Sequence, residues 1–141
     1  MTWTNFQRRQ CNIIINKMIK WDMCAPFVQM VDPELDGAPH YLEIIKKPMS
    51  LMEVRNNLGD GIYSSFDNFK NDVNLIWENA IKYNGENSII GYMAAEAKLY
   101  FDKKMLNIPE NDEEEWIDHL SKTTKKFYHL LSFQPKKVSK K

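Results

Sequence analysis

Glycine and proline are scarce in this 141-residue chain, at five and six. That is too few for a low-complexity chain or one built from many strands and tight turns. Cysteine occurs only twice, as Cys11 and Cys24, which makes no disulfide framework, and with His40, His119 and His129 scattered no metal site is expected. Neither charge sign dominates: nineteen basic residues balance nineteen acidic ones, so no global field draws the chain to nucleic acid or to a membrane. There is no spanning apolar run, no signal peptide and no Asn-X-Ser/Thr sequon. These absences predict a soluble, intracellular chain in a reducing compartment. What is present, 43% hydrophobic and 12% aromatic residues, suits one domain with a sizeable core.

The periodicity is helical throughout. From Phe6 to Trp21 the positions Phe6, Ile14, Ile15, Met18, Ile19 and Trp21 share helical spacing. Residues 24 to 64 follow without a long periodic element, about forty residues where a connector is normally a handful. Yet Phe27, Val31, Leu35, Tyr41, Ile44, Ile45, Met49 and Leu51 supply enough apolar surface to order them. Within this loop Asp32-Pro33 opens a short turn that Gly37 ends, and Ser50 with Glu53 caps a short helix ending at Gly59. A long helix is expected over 65–83, with Phe66, Phe69, Val73, Ile76, Trp77, Ala80 and Tyr83 on one face. Ser88 starts another, in which Ile90, Met93, Ala94, Ala97 and Phe101 face inward. Residues 111–133 read as a further helix, acidic at its start and basic beyond, with Trp116, Leu120, Phe127 and Leu131 at compatible spacing and expected to pack against the rest. The basic end, 134–141, reads as a solvated tail.

The stretch IKYNGENSII, residues 81–90, raises the functional question. Asn84 before Gly85 reads most simply as a helix C-cap, since both residues tolerate the left-handed conformation. A primary amide is also a hydrogen-bond donor that cannot be titrated away.

Four segments in order decide between these readings: APFVQMVD (25–32), APHYLEIIKKPMSL (38–51), FKNDVNLIWENAIKYN (69–84) and SIIGYMAAEAKLYF (88–101). Together they resemble a bromodomain over roughly residues 8–105. The resemblance implies an all-α, left-handed four-helix bundle with a long ordered loop after its first helix. The expected organisation is a bundle over 5–105, an additional helix within 106–133 and a basic tail over 134–141.

The resemblance also implies a non-catalytic reader of N-acetyl-lysine. Asn84 would donate to the acetyl carbonyl, and Tyr41 would hold a bridging water to the same oxygen. Phe27 and Val31 would form one wall, Ile90 the gatekeeper opposite and Tyr83 the rim, while Pro48 and Met49 are expected to be structural. Ala25 and Pro26 would form the shelf, with Ala25 where the family often carries Trp. His40 stands where Asp is frequent, and Glu86 is expected near the mouth, facing basic residues beside the acetyl-lysine. Implied partners are acetylated peptides, histone tails foremost, within a chromatin-associated complex in the nucleus. Nucleic-acid contact would be auxiliary, through the tail. No cofactor or enzymatic role is expected, because the histidines have no nucleophile beside them and no phosphate-binding glycine loop occurs. The competing reading is a scaffold that keeps the fold and binds partners through its surface or through helix 111–133.

Overall fold

The computed structural model describes residues 3–109 and 112–133, and the basic tail lies outside them. The chain divides into two compact units, Met1–Ile108 and Pro109–Lys141. Among the described residues there is no strand, no helix long and apolar enough to cross a membrane, and no metal-ligating cluster.

The first unit contains α1 (Asn5–Ile19), a 3-10 turn (Asp22–Phe27), α2 (Tyr41–Ile44), α3 (Leu51–Gly59), α4 (Phe66–Asn84) and α5 (Ile89–Leu106). The helix starts follow from their caps. Thr4 and Gln7 form a reciprocal capping box on α1, while Ser50, Ser65 and Ser88 accept from the backbone N–H groups of Glu53, Asn68 and Gly91. Helix α4 packs along α5 and against α3, and α1 packs on α3 and α5.

The core is continuous across these helices. Helix α1 contributes Gln7, Cys11, Ile14, Ile15 and Met18, and α4 contributes Phe69, Val73, Ile76, Trp77 and Ala80. Small residues on α5, Gly91, Ala94 and Ala97, let its backbone come close, with Phe101 and Met105 filling the far end. Phe69 meets Phe101 and Tyr63 at ring-centroid distances of 5.8 and 5.9 Å. Trp3, before the first helix, stacks on Phe66 at 5.9 Å and pins the N-terminal arm.

Three local features differ from the sequence expectation. The first helix stops at Ile19, and Trp21 leaves its face to pack on Tyr100 at 5.1 Å. The segment around Pro26 is a 3-10 turn, and Tyr41–Ile44 is a single helical turn inside the loop. Both are too short for periodicity to reveal.

Cys11 and Cys24 are free thiols buried in the core. Burial pushes each from its usual 9.0 up to about 12, with Lys70 opposing the rise at Cys11. Because the folded value lies above the unfolded one, this contribution is intact below pH 9 and is lost as pH rises toward 12. Chemical denaturation is therefore expected to show stability declining across pH 9–12. Neither thiol should react with a chromogenic disulfide at pH 8 until the protein unfolds.

The second unit contains α6 (Asp112–Phe133). Trp116, Leu120, Phe127 and Leu131 are all exposed, as are Ile117, Tyr128 and Leu130.

Candidate functional site

The long loop is ordered by a few polar ties. Asp32 Oδ1 accepts from the N–H groups of Glu34 and Leu35, and Asp36 Oδ2 accepts from Asp32 N–H, which closes the turn at Pro33. Gly37, at φ +62, reverses the chain where a side chain would be strained. Ala38, Tyr41 and Ile45 bury themselves together, with Val31 and Tyr83 packed against them.

Two side chains of α4 then fasten the loop to the bundle. Asn79, itself buried, donates from Nδ2 to the Lys47 carbonyl at 2.8 Å. The Tyr83 hydroxyl donates to the Pro39 carbonyl at 2.7 Å. Removing that hydroxyl in Tyr83→Phe is expected to lower stability by about 0.5–1.5 kcal/mol, and thermal denaturation of the variant checks it.

At the end of α4 the two functions of the Asn-Gly pair separate. Asn84 is the last helical residue, and Gly85 takes the positive φ of +90 while its N–H donates to the Ile81 carbonyl at 2.8 Å. The cap thus belongs to Gly85. Asn84 Nδ2 donates to the Ala80 carbonyl at 3.0 Å. A carbonyl only accepts, so this contact fixes which end of the amide is nitrogen and leaves the second Nδ2 hydrogen for another acceptor.

Asn84 lies on the lining of a cavity of about 640 Å3 between the loop and the ends of α4 and α5. The same lining brings together Ala25, Pro26, Phe27, Val31, Tyr41, Tyr83 and Ile90. Phe27 is held edge-on to Trp77 at 5.3 Å, and Tyr41 stands 5.0 Å from the Tyr83 ring. Burial raises the Tyr41 hydroxyl above its usual 10.0, with Tyr83 adding to the effect, so it stays protonated and able to donate. That hydroxyl has no hydrogen-bond partner among the described residues. Tyr83, not Tyr41, ties the loop through its phenol.

Glu86 does not join the lining; it is exposed on the connection to α5. His40 is exposed too, in the left-handed conformation at φ +61, and pairs with Glu43 at 2.8 Å.

The lining also includes residues that sequence reasoning missed. Ile76 and Ala80 stand eight and four residues before Asn84 and so share its helix face, a signal that was available in the spacing. Met49 joins them from the loop. Met30 and Leu35 border the cavity while remaining exposed, Leu35 by 85%. Asp32 and Asp36 are its only carboxylates, both exposed.

A largely apolar cleft, with the Asn84 amide held in place, the Tyr41 phenol protonated and Gln29 a second amide on the lining, suits an uncharged side chain that ends in a carbonyl. The Bromodomain family model matches residues 11–96. Bromodomain-containing factor 1 of Saccharomyces cerevisiae is 35% identical over 106 residues, which cover 75% of this chain and 16% of that protein. The SWR1 complex bromodomain subunit bdf1 of Schizosaccharomyces pombe is 30% identical over 107 residues, 76% of this chain and 18% of that protein. Bromodomain adjacent to zinc finger domain protein 2B of Mus musculus is 34% identical over 94 residues, 67% and 4%.

The chain belongs to the bromodomain family, whose members are modules that bind acetylated lysine. It spans less than a fifth of the length of these curated relatives.

Proposed function

We propose that this domain is a non-catalytic reader of N-acetyl-lysine on histone tails, with Asn84 donating to the acetyl carbonyl. The observation that carries the reading is the Asn84 amide, oriented by the Ala80 carbonyl, on the lining of an otherwise largely apolar cavity. Acetylation removes the ammonium charge and leaves a methyl group, a carbonyl acceptor and one N–H. Phe27, Val31 and Ile90 would take the methyl and the aliphatic stem, and Tyr41 would hold a water bridged to the carbonyl.

Unmodified lysine is rejected because its ammonium would be desolvated without a partner, a cost of several kcal/mol. The two carboxylates on the lining do not offset this. Both are exposed on the loop, and each already accepts from backbone N–H groups. Asp32, Asp36 and the exposed Glu86 would instead attract basic residues flanking the acetyl-lysine.

In the cell the reading places the domain in the nucleus, within a chromatin-associated complex. The Schizosaccharomyces pombe relative, an SWR1 complex subunit, supports that placement. Calorimetry with an acetylated histone-tail peptide should give a dissociation constant between about 10 µM and 1 mM. The unacetylated peptide should bind at least tenfold more weakly. Equal affinity for the two peptides would refute the reading.

Ala25 leaves the shelf without an aromatic wall. Ala25→Trp is expected to tighten ligands that stack there by about 1 kcal/mol. An unchanged dissociation constant for such a ligand would remove Ala25 from the site.

A further inference from the structure

Lys47 stands between two parts of the loop that shape the cavity. Ile45, two residues before it, is buried with Ala38 and Tyr41. Met49, two residues after it, lies on the lining. Helix α4 grips Lys47 at both ends. Asn79 holds its backbone carbonyl, and Asp72 Oδ1 accepts from its ammonium at 3.2 Å. The two grips are seven residues apart, two turns along one face of α4.

The members of this ion pair are not equally free. The Asp72 side chain is 14% exposed and that of Lys47 67%. Asp72 Oδ2 accepts from the Tyr63 hydroxyl at 2.7 Å. Tyr63 is itself buried against Phe69, and its oxygen accepts from Asn57 Nδ2 of α3 at 3.4 Å. The carboxylate is thus fixed by groups outside the segment it holds, and the lysine is the member that can move.

We infer that Asp72 is a positioning residue for the cavity. Through Lys47 it latches the run from Ile45 to Met49, and so sets the part of the lining that Tyr41 and Met49 supply. Neither Lys47 nor Asp72 lies on the lining itself. An exposed ion pair adds little to global stability, but this one supplies a second point of attachment. A segment held by one hydrogen bond can swivel about it, and a second hold two turns away removes that freedom. The expected loss of affinity rests on the acetyl-lysine reading, whereas the movement of the lining does not.

Charge alone would act in the opposite sense at Lys47. Deleting a cation from the domain should favour a basic histone-tail peptide, while opening the latch disfavours it. The sign of the effect therefore separates the two.

The test is calorimetry with the acetylated histone-tail peptide on Lys47→Leu, Asp72→Asn, their combination and Lys47→Arg. Asp72→Asn keeps an acceptor for the Tyr63 hydroxyl. Each single loss should weaken binding about threefold to tenfold, and the combination no further, as for two ends of one contact. Lys47→Arg keeps the cation and should bind within about twofold of wild type. Melting temperatures should stay within about 3 °C of wild type, which separates a shifted lining from a weakened fold. Lys47→Leu binding as tightly as wild type, or more tightly, would overturn the proposal, as would losses that add in the combination.

A second measurement needs no peptide. With methionine methyl groups labelled for NMR, the Met49 signal should move in both single variants. Met105, at the far end of the core, should keep its position. A Met49 signal unmoved in both would refute the latch. If the wild-type protein ignored the acetylated peptide, the acetyl-lysine reading would fail, and a displaced Met49 would still support the latch.

Discussion

Asn84→Ala is expected to weaken binding of an acetylated peptide about tenfold to a hundredfold, because a buried carbonyl left without its donor costs about 1–3 kcal/mol. The fold should scarcely notice the change. Asn84 is exposed and its side chain's one hydrogen bond among the described residues is within its own helix, while Gly85 supplies the cap. The melting temperature of Asn84→Ala should therefore stay within about 2 °C of wild type, as for other surface substitutions. Asn84→Asp sharpens the test. It keeps the shape, removes the donor and sets a negative charge against the carbonyl oxygen, so its affinity should fall at least as far. If Asn84→Ala retained wild-type affinity by calorimetry, the carbonyl would be held elsewhere on the lining.

The second large effect is expected at Gly91, on the first turn of α5. A Cβ there would collide with the backbone carbonyl of Gly85. Neither side can yield cheaply. The Gly85 carbonyl is fixed by the Ser88 hydroxyl at 2.7 Å, and the Gly91 N–H is fixed to the same hydroxyl oxygen at 2.9 Å. The added methyl must push α5 away from the end of α4. Gly91→Ala should therefore cost about 1–3 kcal/mol by overpacking, seen as a lowered denaturation midpoint. It should weaken acetyl-peptide binding as well, because Asn84 and Ile90 stand on the two sides of that corner. A Gly91→Ala protein as stable as wild type would show that the corner is not held as described.

These two substitutions separate what the sequence disclosed from what only the folded chain reveals. The helix starts were legible because each depends on a local device: Ser50, Ser65 and Ser88 each cap a backbone N–H three residues on. The inward face of α4 was legible too, since one helix sets its own periodicity. The ties that shape the cavity were not. Asn79 reaches Lys47 across 32 residues, and Tyr83 reaches Pro39 across 44. A phenol or amide requires a partner when buried, but nothing local says which carbonyl will be brought to it. That is why Tyr41 and Tyr83 divide their roles in a way the motif alone does not show.

The acidic residues at the cavity illustrate the same limit. Beside Glu86, expected near the mouth, the lining itself carries Asp32 and Asp36, brought there by the turn at Pro33. Gly91 was hidden for another reason. As a residue inside a helix it reads as a small destabilising choice, and only the return of the Gly85 carbonyl explains it. The apolar stripe of α6 was visible in the spacing, whereas its exposure was not.

Acetyl-lysine recognition through Asn84 is best tested by an NMR titration of labelled protein with an acetylated histone-tail peptide, using the unacetylated peptide as control. Saturable shifts of the Asn84 side-chain amide and of Ile90 are expected with the acetylated peptide alone. An Asn84 amide that stays unmoved while the acetylated peptide is raised to millimolar concentration would contradict that recognition.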